Sequence, residues 1–197
     1  DALRRQRLER HSLPDTFDFA TQDFLEEEVD TGELLFGASE YAKDGLMPAV
    51  EWLGPGPYRD RMEGLVRDIW AEAGGVPTGN VEVHGELLQT CARLYWQTGD
   101  AAFRDWTFAL AERYLVEDDM TQWEEIRLRD HGCEIIGGLS EAYYLAAQEA
   151  PERQDAWRAP LHALLDLILA KGVYDDGMMP SAFRPATGQQ HPRLNDN

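Results

Sequence analysis

The sequence is poor in positive charge and has no long apolar run. Its 197 residues include 18 Lys and Arg against 37 Asp and Glu, which gives a formal net charge of −19 at pH 7. Nucleic acids and anionic membrane surfaces are bound through concentrated positive charge, so we expect neither as a partner. The apolar stretch over residues 164–170 is far shorter than the roughly 20 residues that cross a bilayer. A neutral or cationic ligand fits this composition better.

Cysteine is also scarce, since the chain has only Cys91 and Cys133. Two cysteines exclude a disulfide-dense secreted scaffold and a zinc site built from four cysteines of this chain. We expect both to be buried, reduced thiols. The sequence begins at Asp1 with neither Met nor a signal-peptide pattern, so we expect that a leader or a start segment preceded it. The compartment stays open, with a cytoplasmic location favoured.

Alternating β-branched segments are nearly absent, and helical periodicity dominates instead. Apolar residues recur at spacings of three and four along three stretches. They are Met62, Leu65, Val66, Ile69 and Trp70; Phe103, Trp106, Leu110 and Tyr114; and Trp157, Leu161, Leu164, Leu165 and Ile168. The sequence therefore predicts an all-α protein.

Glycine, proline and aspartate divide the helical part into three hairpins. The turns are marked by Gly54-Pro55-Gly56-Pro57, Thr98-Gly99-Asp100 and Ala150-Pro151. The predicted helix pairs are 38–53 with 57–73, 80–98 with 101–116, and 130–149 with 153–171. Residues 1–36 are interpreted as an N-terminal arm or lead-in segment, and residues 37–197 as one helical-hairpin domain.

The last two hairpins form an internal repeat with an offset of about 48 residues. His84-Gly85-Glu86 is matched by His131-Gly132-Cys133-Glu134, and the segment 92–96 is matched by 140–144. The first helix of each pair carries glycines, which usually indicate close backbone packing. We therefore expect the first helices to form an inner layer and the more polar second helices to form an outer layer.

Two motifs carry a resemblance to a known class of enzymes. Gly85-Glu86-Leu87-Leu88 precedes the segment 92–100, and the segment 128–134 precedes Gly138-Leu139. These hairpins resemble those of (α/α)6-toroid carbohydrate enzymes, the six-hairpin glycosidase class. The resemblance implies an (α/α)6 toroid or part of one, acting on a carbohydrate, with glycoside hydrolysis as the expected reaction. A closed toroid of this class has six hairpins, so we expect the chain to continue beyond Asn197.

The resemblance also implies a cup-shaped site at the N-terminal ends of the inner helices. Two polar clusters fall there, formed by Glu82, His84 and Glu86 and by Asp130, His131 and Glu134. Glycoside hydrolysis needs one protonated carboxyl and one carboxylate, and a helix N-terminus stabilises the carboxylate. We therefore expect the acid deeper in the helix, at Glu86 or Glu134, and the base at Asp130. In a purely structural role, Asp130 would be an N-cap, Glu134 a first-turn carboxylate, and Glu82 and Glu86 solvated residues that complement the helix dipole.

Further side chains are predicted to bind the substrate around this cup: Tyr41, Glu82, Trp123, Arg129, His191 and Arg193. Tyr41 and Trp123 are expected at its rim, whereas Arg129 and Arg193 are suited to contact an acidic sugar. No cofactor or resident metal is expected, since the sequence has no His-Glu-x-x-His, Walker A or Gly-x-Gly-x-x-Gly motif.

Three alternatives stay open. His84 or His131 would be the base of a polysaccharide lyase or sugar epimerase. His131 and Glu134, together with a side chain of the first cluster, would supply metal ligands. A non-catalytic helical array would instead bind a partner protein on its concave face. An incomplete barrel exposes an apolar edge, so we also expect self-association into a homo-oligomer.

Overall fold

The computed structural model of the chain describes residues 17–24, 31–77 and 80–192. Most of these residues are helical, which confirms the all-α prediction. The α-helices of this described part are α1 (Thr31–Glu40), α2 (Met47–Leu53), α3 (Pro57–Glu72), α4 (Val81–Thr98), α5 (Ala101–Glu112), α6 (Glu134–Glu149) and α7 (Pro151–Lys171). A π-helical turn, Tyr41–Leu46, joins α1 to α2 without a break.

The helix ends coincide with the punctuation of the sequence. Asn80 is the N-cap of α4 and Asp100 is the N-cap of α5, and each side chain accepts a hydrogen bond of 2.9 Å from the backbone N–H two residues ahead. Gly99 ends α4 in the left-handed conformation, with φ of 71°. Pro57 and Pro151 occupy the first positions of α3 and α7, where a missing N–H costs no hydrogen bond.

The inner layer consists of α4, α6 and the continuous helical segment formed by α1, the π-helical turn and α2. Residues that are equivalent in the repeat meet across α4 and α6: Arg93 Nη2 donates to Glu141 Oε1 over 2.6 Å, and the Trp96 and Tyr144 rings lie 6.0 Å apart. Because contacts between equivalent positions persist along both helices, α4 and α6 run parallel. The N-terminal ends of these two inner helices therefore lie at the same end of the layer.

The outer layer consists of α3, α5 and α7. Trp70 of α3 stacks on Trp106 of α5 with ring centroids 4.6 Å apart, and Phe108 of α5 meets Trp157 of α7 edge to face at 5.6 Å. These contacts place the second helix of each hairpin beside the second helix of the next. The described part is thus a two-layered array of three hairpins, with the inner and outer helices that the sequence predicts.

Two glycines set the spacing between α4 and α6. A Cβ atom on Gly85 would overlap the backbone atoms of Glu134 and Ile135, and would lie 2.8 Å from Glu134 Cβ. A Cβ atom on Gly138 would lie 2.7 Å from the Gly85 carbonyl oxygen and 2.6 Å from Leu88 Cβ. The prediction that the inner glycines serve close backbone packing is confirmed at these two positions.

Several boundaries differ from the sequence-based prediction. The first inner helix begins at Thr31 rather than at residue 38, inside the segment interpreted as the arm. Asp130–Cys133 forms a 3-10 turn, so α6 begins at Glu134. This turn leaves Cys133 exposed, and the prediction that both cysteines are buried is wrong for Cys133 and right for Cys91. The rest of the proposed arm, residues 1–16 and 25–30, lies outside the described residues.

The strands of the described residues are short and pair in two antiparallel ribbons. β1 (Phe17–Asp18) pairs with β2 (Asp23–Phe24), and β3 (Ile126–Arg127) pairs with β4 (Ala182–Phe183). The second ribbon joins the segment after α7 to the connector that leads into α6. Among the described helices, none is long and apolar enough to cross a membrane.

The close approach of α4 and α6 predicts opposite effects for two Gly-to-Ala substitutions. Gly85→Ala should lower the free energy of unfolding by roughly 1–3 kcal/mol, because the new methyl group forces the two backbones apart. Gly37→Ala is the matched control, since Gly37 lies in α1 and an added Cβ meets no atom within 4 Å. It should stabilise the protein by about 0.4–1 kcal/mol. Denaturant unfolding measures both, and equal effects would contradict this packing.

Candidate functional site

Glu86 lies in the second turn of α4 and is the centre of the predicted catalytic region. Its side chain is buried, with 0% of the residue exposed. Burial raises the pKa of the Glu86 carboxyl to about 8, and the negative charges of Asp44, Glu40 and Glu134 add to this effect. The positive charge of Lys43 opposes it. The Glu86 carboxyl is therefore mostly protonated at pH 7, as a general acid must be.

An ion pair lies beside this carboxyl. Lys43 Nζ is 2.7 Å from Glu134 Oε2 and 3.0 Å from Asp44 Oδ1. Burial works against the ammonium charge, but the hydrogen bonds to Glu134 and Asp44 outweigh it and raise the pKa of Lys43. Gln89 donates to Glu134 Oε2 over 2.6 Å and to the Glu134 carbonyl over 3.2 Å. We call Lys43, Glu86, Gln89 and Glu134 the inner acid cluster.

The π-helical turn Tyr41–Leu46 positions the first inner helix for this contact. A π turn adds a residue to a helix and often occurs at functional sites. Here it carries both Lys43 and Asp44, whose charges act on Glu86. Tyr41 lies at its start, 46% exposed, and the Tyr41 ring packs below Gly45. Tyr41 thus lies on the same turn as Lys43, compatible with its predicted rim position.

His84 is held on both sides of its ring. It is fully buried, its Nε2–H donates to the Pro77 carbonyl, and the Tyr114 hydroxyl donates to Nδ1 over 2.5 Å. A carbonyl only accepts, which fixes the neutral tautomer with the proton on Nε2. Burial lowers the pKa of His84, and the charge of Arg113 adds to this, against the hydrogen bond to Pro77. This is the arrangement of a structural histidine, and we do not count it among the acid–base groups.

Glu82 is also tied to its surroundings. It is buried in the first turn of α4, forms an ion pair with Arg127 of β3, and accepts a hydrogen bond of 3.2 Å from Asn80 Nδ2. The pair holds the β3–β4 ribbon against the N-terminal end of α4. Glu82 and Glu86 lie one turn apart, as the spacing predicts, but Glu82 is paired with Arg127 whereas mainly negative charges act on Glu86.

The remaining predicted site residues are dispersed. Trp123 donates to Asp118 Oδ1 over 2.8 Å and packs edge to face on Tyr114, which places it next to the His84 contact. His191 pairs with Glu125 over 2.7 Å. The Arg129 carbonyl accepts from the Gly132 amide, and the Arg129 side chain is half-buried. Arg193 and the side chains of Asp130 and His131 lie outside the described residues.

Sequence reasoning missed Lys43 and Gln89. Lys43 is one of only two lysines in the chain, and that rarity was the available signal. Gln89 follows Glu86 by three residues, so the helical spacing places both on one face of α4. Their partner Glu134 belongs to another hairpin, and only the packing of three inner helices brings these groups together.

The described residues contain no group of three or more His, Cys, Asp or Glu side chains arranged to hold a metal ion. The metal-site alternative depends on His131, whose side chain lies outside the described residues, so it stays a prediction. In comparisons with known proteins, no protein-family model, no curated protein and no solved structure matches this chain.

The raised pKa of Glu86 predicts a pH-dependent stability. The folded state keeps the Glu86 proton up to about pH 8, whereas an unfolded chain releases it near 4.5. Glu86 therefore favours folding at low pH, and this contribution is lost as the pH rises from 4.5 through 8. In Glu86→Gln, the free energy of unfolding should fall less between pH 5 and pH 8.5 than in the wild type.

Glu124→Gln is the control, because it makes the same carboxyl-to-amide change in a side chain that is 88% exposed. Urea unfolding at several pH values measures the two slopes. A Glu86→Gln profile parallel to those of the wild type and the control would refute the protonated state of Glu86.

Proposed function

We propose that the chain is part of an (α/α)6 toroid and acts as a glycoside hydrolase, with Glu86 as the general acid. The observation that carries this proposal is the buried Glu86 carboxyl, with a pKa of about 8, beside the Lys43–Glu134 ion pair. A general acid has to hold its proton at the working pH and release it to the leaving group. Two-layered hairpins with parallel inner helices support the toroid part of the proposal.

The contacts of the two carboxyls that the sequence offers as the acid support Glu86 over Glu134. Glu134 is the ion-pair partner of Lys43 and also accepts from Gln89, which is the setting of a carboxylate rather than of a proton donor. Glu86 is surrounded by the negative charges of Glu40, Asp44 and Glu134, which oppose a second ionisation. We therefore assign the proton donor to Glu86 and the fixed negative charge to Glu134.

The Glu86 carboxyl is 0% exposed in this structure, so the mechanism requires a shift of the inner helices that uncovers it. Glu86 then gives its proton to the glycosidic oxygen as the bond from that oxygen to the anomeric carbon breaks. A carboxylate accepts a proton from the attacking water, whose oxygen forms the new bond to the anomeric carbon. Asp130, in the turn before α6, is the proposed base. The Glu134 carboxylate stabilises the positive charge that develops on the sugar ring.

The proposal predicts the activity of two carboxamide variants on oligosaccharides. Glu86→Gln and Asp130→Asn should each lower kcat by roughly 10²–10⁴-fold, because each removes one proton-transfer step. Glu124→Gln should keep wild-type activity. The release of reducing ends from a panel of oligosaccharides measures all three.

The pH dependence of the activity tests whether Glu86 acts as the acid. In the wild type, kcat/KM should fall as the pH rises above about 8, because Glu86 then loses the proton that it donates. Equal turnover by Glu86→Gln and the wild type would exclude Glu86 as the acid. Formation of an unsaturated sugar, detected by its absorbance, would replace hydrolysis by the lyase reaction.

A further inference from the structure

An open groove lies at the other end of the inner layer, between the last turns of α2 and α4 and the start of α3. Its volume is about 420 Å³, within the roughly 300–1,000 Å³ typical of small-ligand pockets. Val50, Pro55 and the Trp96 ring supply its apolar walls, and Glu51, Arg93 and Gln97 supply polar groups. The groove therefore offers an apolar surface and hydrogen-bonding groups side by side.

Aromatic rings continue the apolar wall along the inner layer. Trp96 is 47% exposed, and its ring lies 5.7 Å from the Tyr95 ring and 6.0 Å from the Tyr144 ring. Tyr144 is itself exposed on α6. An aromatic face of this kind packs on the C–H face of a flat, partly apolar ring.

The charges of the groove disfavour an anion. The Arg93 guanidinium is shared by two carboxylates, with Nη2 2.6 Å from Glu141 and Nη1 3.3 Å from Glu51. Arg59, which also lines the groove, lies 3.6 Å from Glu63. Each guanidinium group thus has at least one carboxylate partner, Glu51 in the lining and Glu141 and Glu63 next to it, which offsets the positive charge at the groove. Such a surface favours a neutral molecule that both donates and accepts hydrogen bonds.

The groove and the inner acid cluster share one face of α4. Glu86, Gln89, Arg93 and Trp96 follow at helical spacings of three and four residues. Ten residues separate Glu86 from Trp96, a distance of about 15 Å along the axis at 1.5 Å per residue. Because Glu86 is fully buried, a ligand in the groove binds apart from the inner acid cluster.

We propose that this groove is a secondary binding site for a chain of neutral sugars, apart from Glu86. The inference rests on the proposed glycosidase function and names its substrate class as a neutral oligosaccharide. One sugar ring packs on Trp96, and its hydroxyl groups exchange hydrogen bonds with Arg93, Glu51 and Gln97. The contact adds affinity for longer chains and plays no part in bond cleavage.

The test is a binding measurement that does not depend on turnover. Isothermal titration calorimetry with cellohexaose, xylohexaose, mannohexaose and maltohexaose should find at least one ligand, which Trp96→Ala binds at least tenfold more weakly. Trp96→Phe, which keeps an aromatic face, should retain most of the affinity. Trp52→Ala is the matched control, because Trp52 is 88% exposed and lies outside the groove lining. The corresponding single sugars should bind much more weakly than the hexamers.

Several outcomes overturn the secondary binding site. The first is that Trp96→Ala, with its fold intact by circular dichroism, binds the hexamers as tightly as the wild type does. The second is that no neutral hexamer binds. The third is that a hexagalacturonate binds more tightly than the neutral hexamers. A dimer that Trp96→Ala converts to a monomer in sedimentation would assign the groove to a second copy. Binding without hydrolysis leaves the secondary binding site standing and removes the proposed function. Hydrolysis of a hexamer with the same KM in Trp96→Ala and the wild type does the reverse.

Discussion

The close approach of two inner helices at Gly85 and Gly138 is the constraint on which the rest of the structure depends. A side chain at either glycine would collide with the facing helix, so the missing Cβ atoms set the distance between α4 and α6. At that distance, residues 48 positions apart in the repeat meet directly, as Arg93 and Glu141 do. The glycines thus convert a sequence repeat into a layer of parallel helices with one continuous inner face.

The same approach creates the electrostatic character of this face. It brings Glu134 from α6 next to Glu86 of α4, while the π turn brings Lys43 and Asp44 from the first inner helix. Glu86 is buried near the carboxyl groups of Glu40, Asp44 and Glu134 and a single ammonium group, so ionising all four carboxyls would cost much free energy. Glu86 keeps its proton instead. A group that stays protonated at neutral pH is therefore a product of helix packing rather than of its own helix alone.

Sequence reasoning located the helices because apolar residues at helical spacing and turn residues such as Gly99 and Asp100 act locally. It also predicted a buried carboxyl at Glu86 or Glu134, and Glu86 is fully buried. It missed Lys43, because the register between separate hairpins depends on side-chain packing that no local pattern records. His84 shows the same limit, since its partner Tyr114 lies 30 residues away. Cys133 is exposed because residues 130–133 form a 3-10 turn, whereas the sequence predicts that the helix already begins at residue 130.

The central claim is that Glu86 carries a proton at neutral pH, and its titration can be observed directly. Nuclear magnetic resonance of protein labelled with ¹³C at the glutamate carboxyls, with Glu86→Gln to assign the signal, measures the pKa of this group. The account predicts that the Glu86 signal titrates near pH 8. A Glu86 signal that titrates near 4.5 would contradict it, and would leave the inner acid cluster as a structural ion pair.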